Sequence, residues 1–521
     1  MIEKSVWKIL PLYLVLGALL LTVFYSCVEE GGFDEYPKVD IVYDDIDSLQ
    51  FLWFKIDRSI NQGIYRDIYF HEHLMDGHYY ADIIEYKTDI SSLKPKFLTN
   101  ADHVLADNIE IKSGENILNF DSIIRFRLFT ETGKHRDFII ELKNSSKQEL
   151  PLMVIETYNK KKVENRTDWI KGRIIIDGQS SEFSNYEGEV EIKGRGNLTW
   201  EHPKKPYSIR LKNPSSILGM ETETNWVLLA NAFDKTLLRN RVALEIGKHT
   251  SLAWTPDSRY VNLILNGDFL GNYLVCEKIK IGESRVDIEE LTYLDNDESL
   301  ISGGYLLEFD RLHEKLDTYF RTETYDLPVG LRDPKILNQN QRNYITNHLN
   351  MVEEELARIP ESNNYKNLVD IDSFIDWWIV NELTFNRDAA IPGSFYMYKD
   401  REGKLFAGPI WDFDYHTFNN LGSFILKYQS PWIAAMFEDE TFVYRVKERW
   451  SEVKPFLDEV TQYIDAEKEH IRYSAEFDKA YWDIWEGPNG DEFMTWEDAI
   501  ERMKLKYSAR LSWMNSRINS W

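Results

Sequence analysis

Two acidic stations stand out in this chain of 521 residues: Asn386-Arg387-Asp388 and, beyond a short strand-like run, Trp411-Asp412-Phe413-Asp414. Phosphoryl transfer needs such a pair, one carboxylate beside the acceptor hydroxyl and another on the metal that holds the phosphates. Asp388 falls where a helix gives way to a loop. A carboxylate there can take the proton of an attacking hydroxyl, or serve only as a local Asx turn. Asp412 and Asp414 are two apart, so on an extended segment they point to one side and can bind one or two Mg2+ ions. Beside apolar Ile410, Trp411 and Phe413 such a pair is costly to bury without a cation.

A second group carries positive charge. In Lys193-Gly194-Arg195-Gly196-Asn197-Leu198-Thr199-Trp200 the two glycines let backbone approach a ligand closely, and Lys193 and Arg195 flank them. Phosphate is the natural ligand, although a glycine-bearing turn with solvated cations accounts for the pattern about as well. The next segment, Pro203-Lys204-Lys205-Pro206-Tyr207, starts a strand on which Lys205 and Tyr207 share a face. Lys205 could reach phosphate oxygens. Glu245, on a helix with Arg239 and Arg241, is its candidate partner.

The elements that must position these residues are legible as runs. Strands are predicted at 152–157, 172–176, 186–193, 207–211, 226–230, 260–265, 271–275 and 305–309, with a helix at 236–248. Helices follow at 339–357 and 371–385, then a hairpin at 395–410 and Trp- and Glu-rich helices to the end. A mostly β half followed by a mostly α half implies two lobes with a cleft between them. Ahead of them, short strands recur between about 40 and 147, as in an immunoglobulin-like β-sandwich. His71, His73 and His78 fall in a polar loop of that unit and are read as surface histidines. A polar linker at 143–149 separates it from a second unit that begins near 150 and is expected to fold by itself.

Composition bounds the rest. The net charge of −26 repels nucleic acid over most of the surface, so polyanions fit only a local basic pocket. At the N-terminus, Lys4 and Lys8 precede an apolar run at 9–24 and then Ser26-Cys27. This reads as a lipoprotein signal over residues 1–27, with Cys27 as the lipidated residue and 28–39 as a linker. An uncleaved N-terminal anchor is the alternative, and both readings put the body outside the cytoplasm; the lipid-anchored form is expected at the outer membrane or cell surface, where it could also face the periplasm. Cys276 is the only other cysteine, so the mature chain has no disulfide framework.

Six stretches in order, KGRGNLTWEHPKKPYSIRLK, LLANAFDKTLLRNRVALEI, RYVNLILNGDFLGNYLVCEKIKI, GGYLLEFDR, DWWIVNELTFNRDA and SFYMYKDREGKLFAGPIWDFD, resemble the CotH kinase family, spanning about 150–422. The resemblance implies an α+β chain with a two-lobed, atypical protein-kinase-like domain over 150–521. Such a domain would use ATP and Mg2+ (or Mn2+) to phosphorylate Ser or Thr of secreted or surface proteins. By position, Asp388 matches the catalytic aspartate and Asp412 the metal aspartate, with Asp414 as second acidic ligand. Lys205 matches the phosphate-binding lysine, and Lys193, Arg195, Gly196 and Glu245 complete the nucleotide set. The Asn that kinases carry about five residues after the catalytic Asp is absent: 389–394 reads Ala-Ala-Ile-Pro-Gly-Ser. Ser394 could coordinate only weakly, so Asp414 would stand in, or activity is reduced or lost and the chain is an inactive surface-anchored binding or scaffolding protein. A nucleotide-sugar glycosyltransferase with Asp-Phe-Asp as metal motif is a third reading, against which the missing βα alternation counts. If Cys27 is lipidated, a fatty-acid analogue fed to cells labels the wild type and not Cys27→Ala; equal label in both overturns the assignment.

Overall fold

The computed structural model describes residues 46–521 apart from 74–75, 84–87, 145–149, 180, 312–315, 391–392, 420–421 and 483–487. The signal segment, Cys27 and the 28–39 linker lie outside the described residues, as does most of the 143–149 linker.

Nine strands build the first unit: β1 (Phe51–Ile56), β2 (Ile68–Tyr69), β3 (His71–His73), β4 (His78–Ile83), β5 (Pro95–Thr99), β6 (His103–Ala106), β7 (Ile109–Ile111), β8 (Ile124–Phe129) and β9 (His135–Asn144). They form a three-stranded sheet, β2-β1-β5, and a six-stranded sheet, β3-β4-β9-β8-β6-β7. One aromatic core joins the sheets: the Phe51 ring meets Phe54, Tyr79, Phe97, Phe126 and Phe138 at centroid distances of 5.2–5.8 Å. The polar loop expected around His71, His73 and His78 is instead the β3–β4 hairpin. Alternation explains it, because Tyr79 and Ala81 are buried while His78 faces outward, 3.1 Å from Glu141.

The second unit opens with a closed barrel of β10 (Leu152–Thr157), β11 (Ile170–Asp177), β12 (Tyr186–Gly194), β13 (Tyr207–Ser215), β14 (Glu223–Leu229), β15 (Ser258–Leu265) and β16 (Asp268–Glu277), in the order β10-β11-β12-β13-β14-β16-β15. The parallel β10–β15 pair closes it. Ile155, Ile174, Ile192, Ile209, Trp226, Leu263 and Val275 fill the interior. The alternate residues Val227, Tyr260, Leu274 and Cys276 face outward onto helix α1 (Arg239–Lys248) through Val242 and Ile246. On the first unit, Arg58 ion-pairs with Glu156 and donates to the Asn266 carbonyl at 3.0 Å, while Tyr65 packs on Leu152, Val154, Ile264 and Phe269.

An antiparallel sheet follows, β18-β19-β17-β20-β21, from β17 (Tyr305–Phe309), β18 (Tyr319–Arg321), β19 (Pro328–Asp333), β20 (Phe395–Lys399) and β21 (Leu405–Ala407). Its helices are α2 (Gln339–Leu356), α3 (Ile371–Leu383), the single turn α4 (Arg387–Ala390), α5 (Glu440–Tyr481) and α6 (Trp496–Asn519). Asn338 and Gln341 form a capping box at the start of α2, and Asp370 caps α3 through the Ser373 amide. From Ser373 to Leu383 every residue of α3 is buried, which is why its pattern shows so little amphipathicity.

The end of α3 is held by a buried ion pair. The Glu382 carboxylate accepts from the amides of Ile425 (2.8 Å) and Leu426 (2.9 Å) and from Arg510 Nη2 of α6 (2.7 Å), while Arg510 Nε donates to the Glu382 carbonyl at 2.8 Å. Removing one partner leaves the other charge buried and unpaired. Arg510→Met is therefore expected to cost about 3–5 kcal/mol in chemical denaturation; a loss below 1 kcal/mol would mean that the amides alone satisfy Glu382.

Candidate active site

Between the barrel and the sheet built on β17 lies a cavity of about 710 Å³. Asp388, Asp412 and Asp414 line it together with Arg195, Gly196, Lys278, Lys280, Arg311, Arg332 and Lys335. Both acidic stations and the glycine loop thus meet in one space, from segments separated by up to 219 residues of sequence (195 to 414).

Each station is placed by an asparagine. Asn386 follows α3, its Nδ2 donating to Asn381 Oδ1 at 3.0 Å and to the Asp412 carbonyl at 3.3 Å, so one side chain ties the two stations together. Asp388 sits in the first turn of α4. Burial pushes its carboxyl above the usual range, against the pull of Arg311, whose Nη2 lies 3.7 Å away. Beyond the hairpin, the Phe413 amide donates to Asn240 Oδ1 of α1 at 2.8 Å, and the Phe413 ring is buried.

The acidic motif is not the extended segment that the spacing suggested. Asp412 has φ of 69°, in the left-handed region that a non-glycine residue occupies only when its surroundings force it. The two carboxyls are nevertheless close enough for each to act on the other's titration. Asp412 opens onto the cavity, with Ser394 Oγ at 3.4 Å from its Oδ2, and Asp414 is buried behind it. Enclosure by the walls, then the Asp388 charge, raises the Asp412 carboxyl; burial, then the Asp412 and Asp234 charges, raises Asp414 well above the carboxylate range. Two acids so placed resist joint ionisation, and this donor chemistry fits a divalent cation. Among the described residues no group of three or more His, Cys, Asp or Glu side chains offers a ready-made cage. Asp412 and Asp414 would hold the ion, with Ser394 at the position where the expected Asn is missing.

The cradle for phosphate matches in part. A Cβ on Gly194 would lie 2.2 Å from the Trp200 ring, and one on Gly196, at φ of 83°, only 2.1 Å from Thr199 Oγ1. Neither position admits a side chain. Arg195 stacks over Trp411 at 5.6 Å, next to the acidic motif. Lys193 does not line the cavity; its Nζ lies 4.9 Å over the Trp169 ring.

Lys205 and Glu245 do not meet. Lys205 Nζ donates to the Trp200 carbonyl at 2.5 Å and lies outside the cavity wall. Glu245 faces Arg241 at 4.0 Å and His249 Nε2 at 3.4 Å. The barrel wall explains the separation, because α1 packs on the outside of β14 and β16 and Lys205 precedes β13. Lys204 is fully buried, 2.7 Å from Asp478 of α5.

Arg195 apart, sequence reading missed the cations that face the cavity. Lys278 follows β16 and has no ion-pair partner among the described residues; burial and the charges of Lys335, Lys193 and Lys280 push its pKa down. Mutual repulsion of this kind suits a polyanion. Lys278-Ile279-Lys280 alternates as a strand end would, a signal available in the sequence. Arg332 of β19 ion-pairs with buried Glu308 of β17, whose carboxyl burial pushes up to about 7. That pair depends on strand neighbours and has no local signature.

An α+β chain with paired acids and a cation cluster around one cleft is the setting of a phosphotransferase. The chain belongs to the CotH kinase family: the family described as CotH kinase protein matches residues 192–514. The match takes in α5 and most of α6, which the six motif stretches did not reach. No curated protein matches the chain.

The acid pair has a consequence for stability. Because the folded Asp414 carboxyl titrates above its unfolded value, folding takes up a proton between the two pKa values, and stability falls as pH rises through that interval. In a chelator, Asp414→Asn should raise the unfolding midpoint at pH 7, and the gain should vanish near pH 4. A midpoint that drops at pH 7 would show that the carboxylate is compensated inside the protein.

Proposed function

We propose that this protein phosphorylates Ser or Thr hydroxyls of secreted or surface proteins, using ATP and Mg2+ (or Mn2+), in the manner of an atypical kinase. The observation that carries the reading is the single cavity lined by Asp388, Asp412 and Asp414 and by Arg195, Lys278, Lys280 and Lys335. The barrel and the portion from β17 onward then act as two lobes of a kinase-like fold. The first unit acts as an immunoglobulin-like domain between them and a lipid anchor at Cys27.

The roles follow from position. Asp388, with its carboxyl raised and Arg311 beside it, orients the acceptor hydroxyl and takes its proton. Asp412 and Asp414 hold the metal, which when bound neutralises phosphate charge and aligns the transferred group. Arg195, Gly196, Lys278 and Lys335 receive the phosphates, and Lys193 adds to the field at Lys278. Lys205 supports the glycine loop through the Trp200 carbonyl, and Glu245 steadies α1 through Arg241. The second reading, a surface binding protein that takes up nucleotide without transfer, is favoured by the missing Asn in 389–394.

The test separates binding from transfer. At ATP and Mg2+ about 100-fold above Kd the wild type should gain about 2.7 kcal/mol of stability. Asp412→Ala should abolish the metal-dependent part. Asp388→Ala should keep the binding shift and lose radiolabel transfer by about 100-fold or more. A wild type that binds but never transfers supports the second reading, and one that binds no nucleotide with any divalent metal overturns both.

A further inference from the structure

The turn between α5 and α6 reaches back to the acidic loop through one side chain. Asn489 is fully buried. Its Oδ1 accepts from the Thr417 amide at 2.9 Å, and its Nδ2 donates to the Asp414 carbonyl at 2.9 Å and to the Phe233 carbonyl at 3.0 Å. Its own carbonyl accepts from Arg502 Nη1 of α6 at 2.9 Å. Two residues on, Asp491 ion-pairs with Arg239 of α1, whose other partner is Asp234. Arg239 and both acids are fully buried, so the turn that carries Asn489 is anchored.

What Asn489 touches defines what it does. Phe233 lies after β14 on the barrel side of the cavity, and Asp414 lies on the opposite wall. One amide group therefore sets the spacing of the two walls at the acidic end. The loop it grips holds three non-glycine residues in the left-handed region, Asp412 at 69°, His416 at 52° and Phe418 at 52°. Such backbone persists only where surrounding bonds over-determine it. Thr417, between two of these residues, also donates its hydroxyl to the Phe413 carbonyl at 2.5 Å, which closes the loop on itself. A neutral amide is the group that can accept from one backbone N–H and donate to two carbonyls at once, without adding charge beside Asp414.

We propose that Asn489 is a positioning residue that fixes the Asp412–Asp414 pair for the metal, a role that rests on reading those two acids as the metal-holding pair. The full-length protein is compared with Asn489→Ala and Asn489→Asp. The aspartate keeps the shape and the acceptor for Thr417 but loses both donors and adds charge. Hydrogen exchange is read by mass spectrometry over 413–418 and over α5, and Mn2+ affinity by calorimetry. Both variants should speed exchange in 413–418 by about tenfold while α5 stays at wild-type protection, and should weaken Mn2+ binding by about tenfold. Faster exchange with wild-type Mn2+ affinity would make Asn489 merely structural and overturn the proposal, as would unchanged exchange. If Ala fails to fold, the isosteric Asp variant decides alone. A wild type that binds no Mn2+ would instead overturn the metal reading of Asp412 and Asp414 and the positioning role with it.

Discussion

Asp414 is buried beside Asp412, and among the described residues neither carboxylate has an ion-pair partner. Three neutral amides tie the backbone of the motif: Asn240 accepts from the Phe413 amide, Asn386 donates to the Asp412 carbonyl, and Asn489 donates to the Asp414 carbonyl and accepts from the Thr417 amide. These bonds hold a left-handed Asp412 in place without neutralising either carboxylate. Arg195, whose charge acts on Asp412 from a distance, lies over Trp411. Elsewhere the interior treats charge differently. Arg239 pairs with Asp234 and Asp491, Arg449 with Asp376, and Arg510 with Glu382. Buried Glu353, which has no cation partner among the described residues, is satisfied by the Thr324 and Tyr325 amides and by Trp432 Nε1, whereas the Asp412–Asp414 pair has no such set of donors among them, a chemistry that fits a cation.

The opposite wall obeys the same logic with the sign reversed. In a chain of net charge −26, Lys278, Lys280 and Lys335 line this side of the cavity, and burial, then the charges of Lys335, Lys193 and Lys280, push the Lys278 pKa down. Lys280 has Glu223 at 2.9 Å, whereas Lys278 has no carboxylate partner among the described residues. A polyanion bridging this group and a metal on the acids would satisfy both at once, and the intervening cavity, with Ser394 and Arg332 on its walls, is the room for it.

The helical portion carries the frame. Glu382 ends α3 with bonds to three consecutive amides, Ile425 to Lys427, and to Arg510, so the chain leaves α3 toward Asn386 from a fixed point. The family match runs through residue 514 and so includes Asn489 and Arg510.

The sequence by itself determined the elements and the acids. Strands 152–157 and 305–309 coincide with β10 and β17, and α2 and α3 differ from their predicted spans by two residues or fewer, because buried alternation and helical runs are local properties. Asp388, Asp412 and Asp414 were legible because paired carboxylates among apolar neighbours are rare without a use. The strands β3 and β4 fall where a polar loop was expected, since their histidines mask a two-residue period. The cation set was where local reasoning ran out. Lys205 has the right type and place in sequence, but its amine turns to Trp200, while Lys278 and Lys335 arrive from the ends of β16 and β19. Closure of the barrel and the pairing of β17 with β19 and β20 decide which side chains face the cavity, and Asn489 reaches it only because α5 and α6 pack across both walls. Those are long-range contacts, set by how the sheets close and not by any window of sequence.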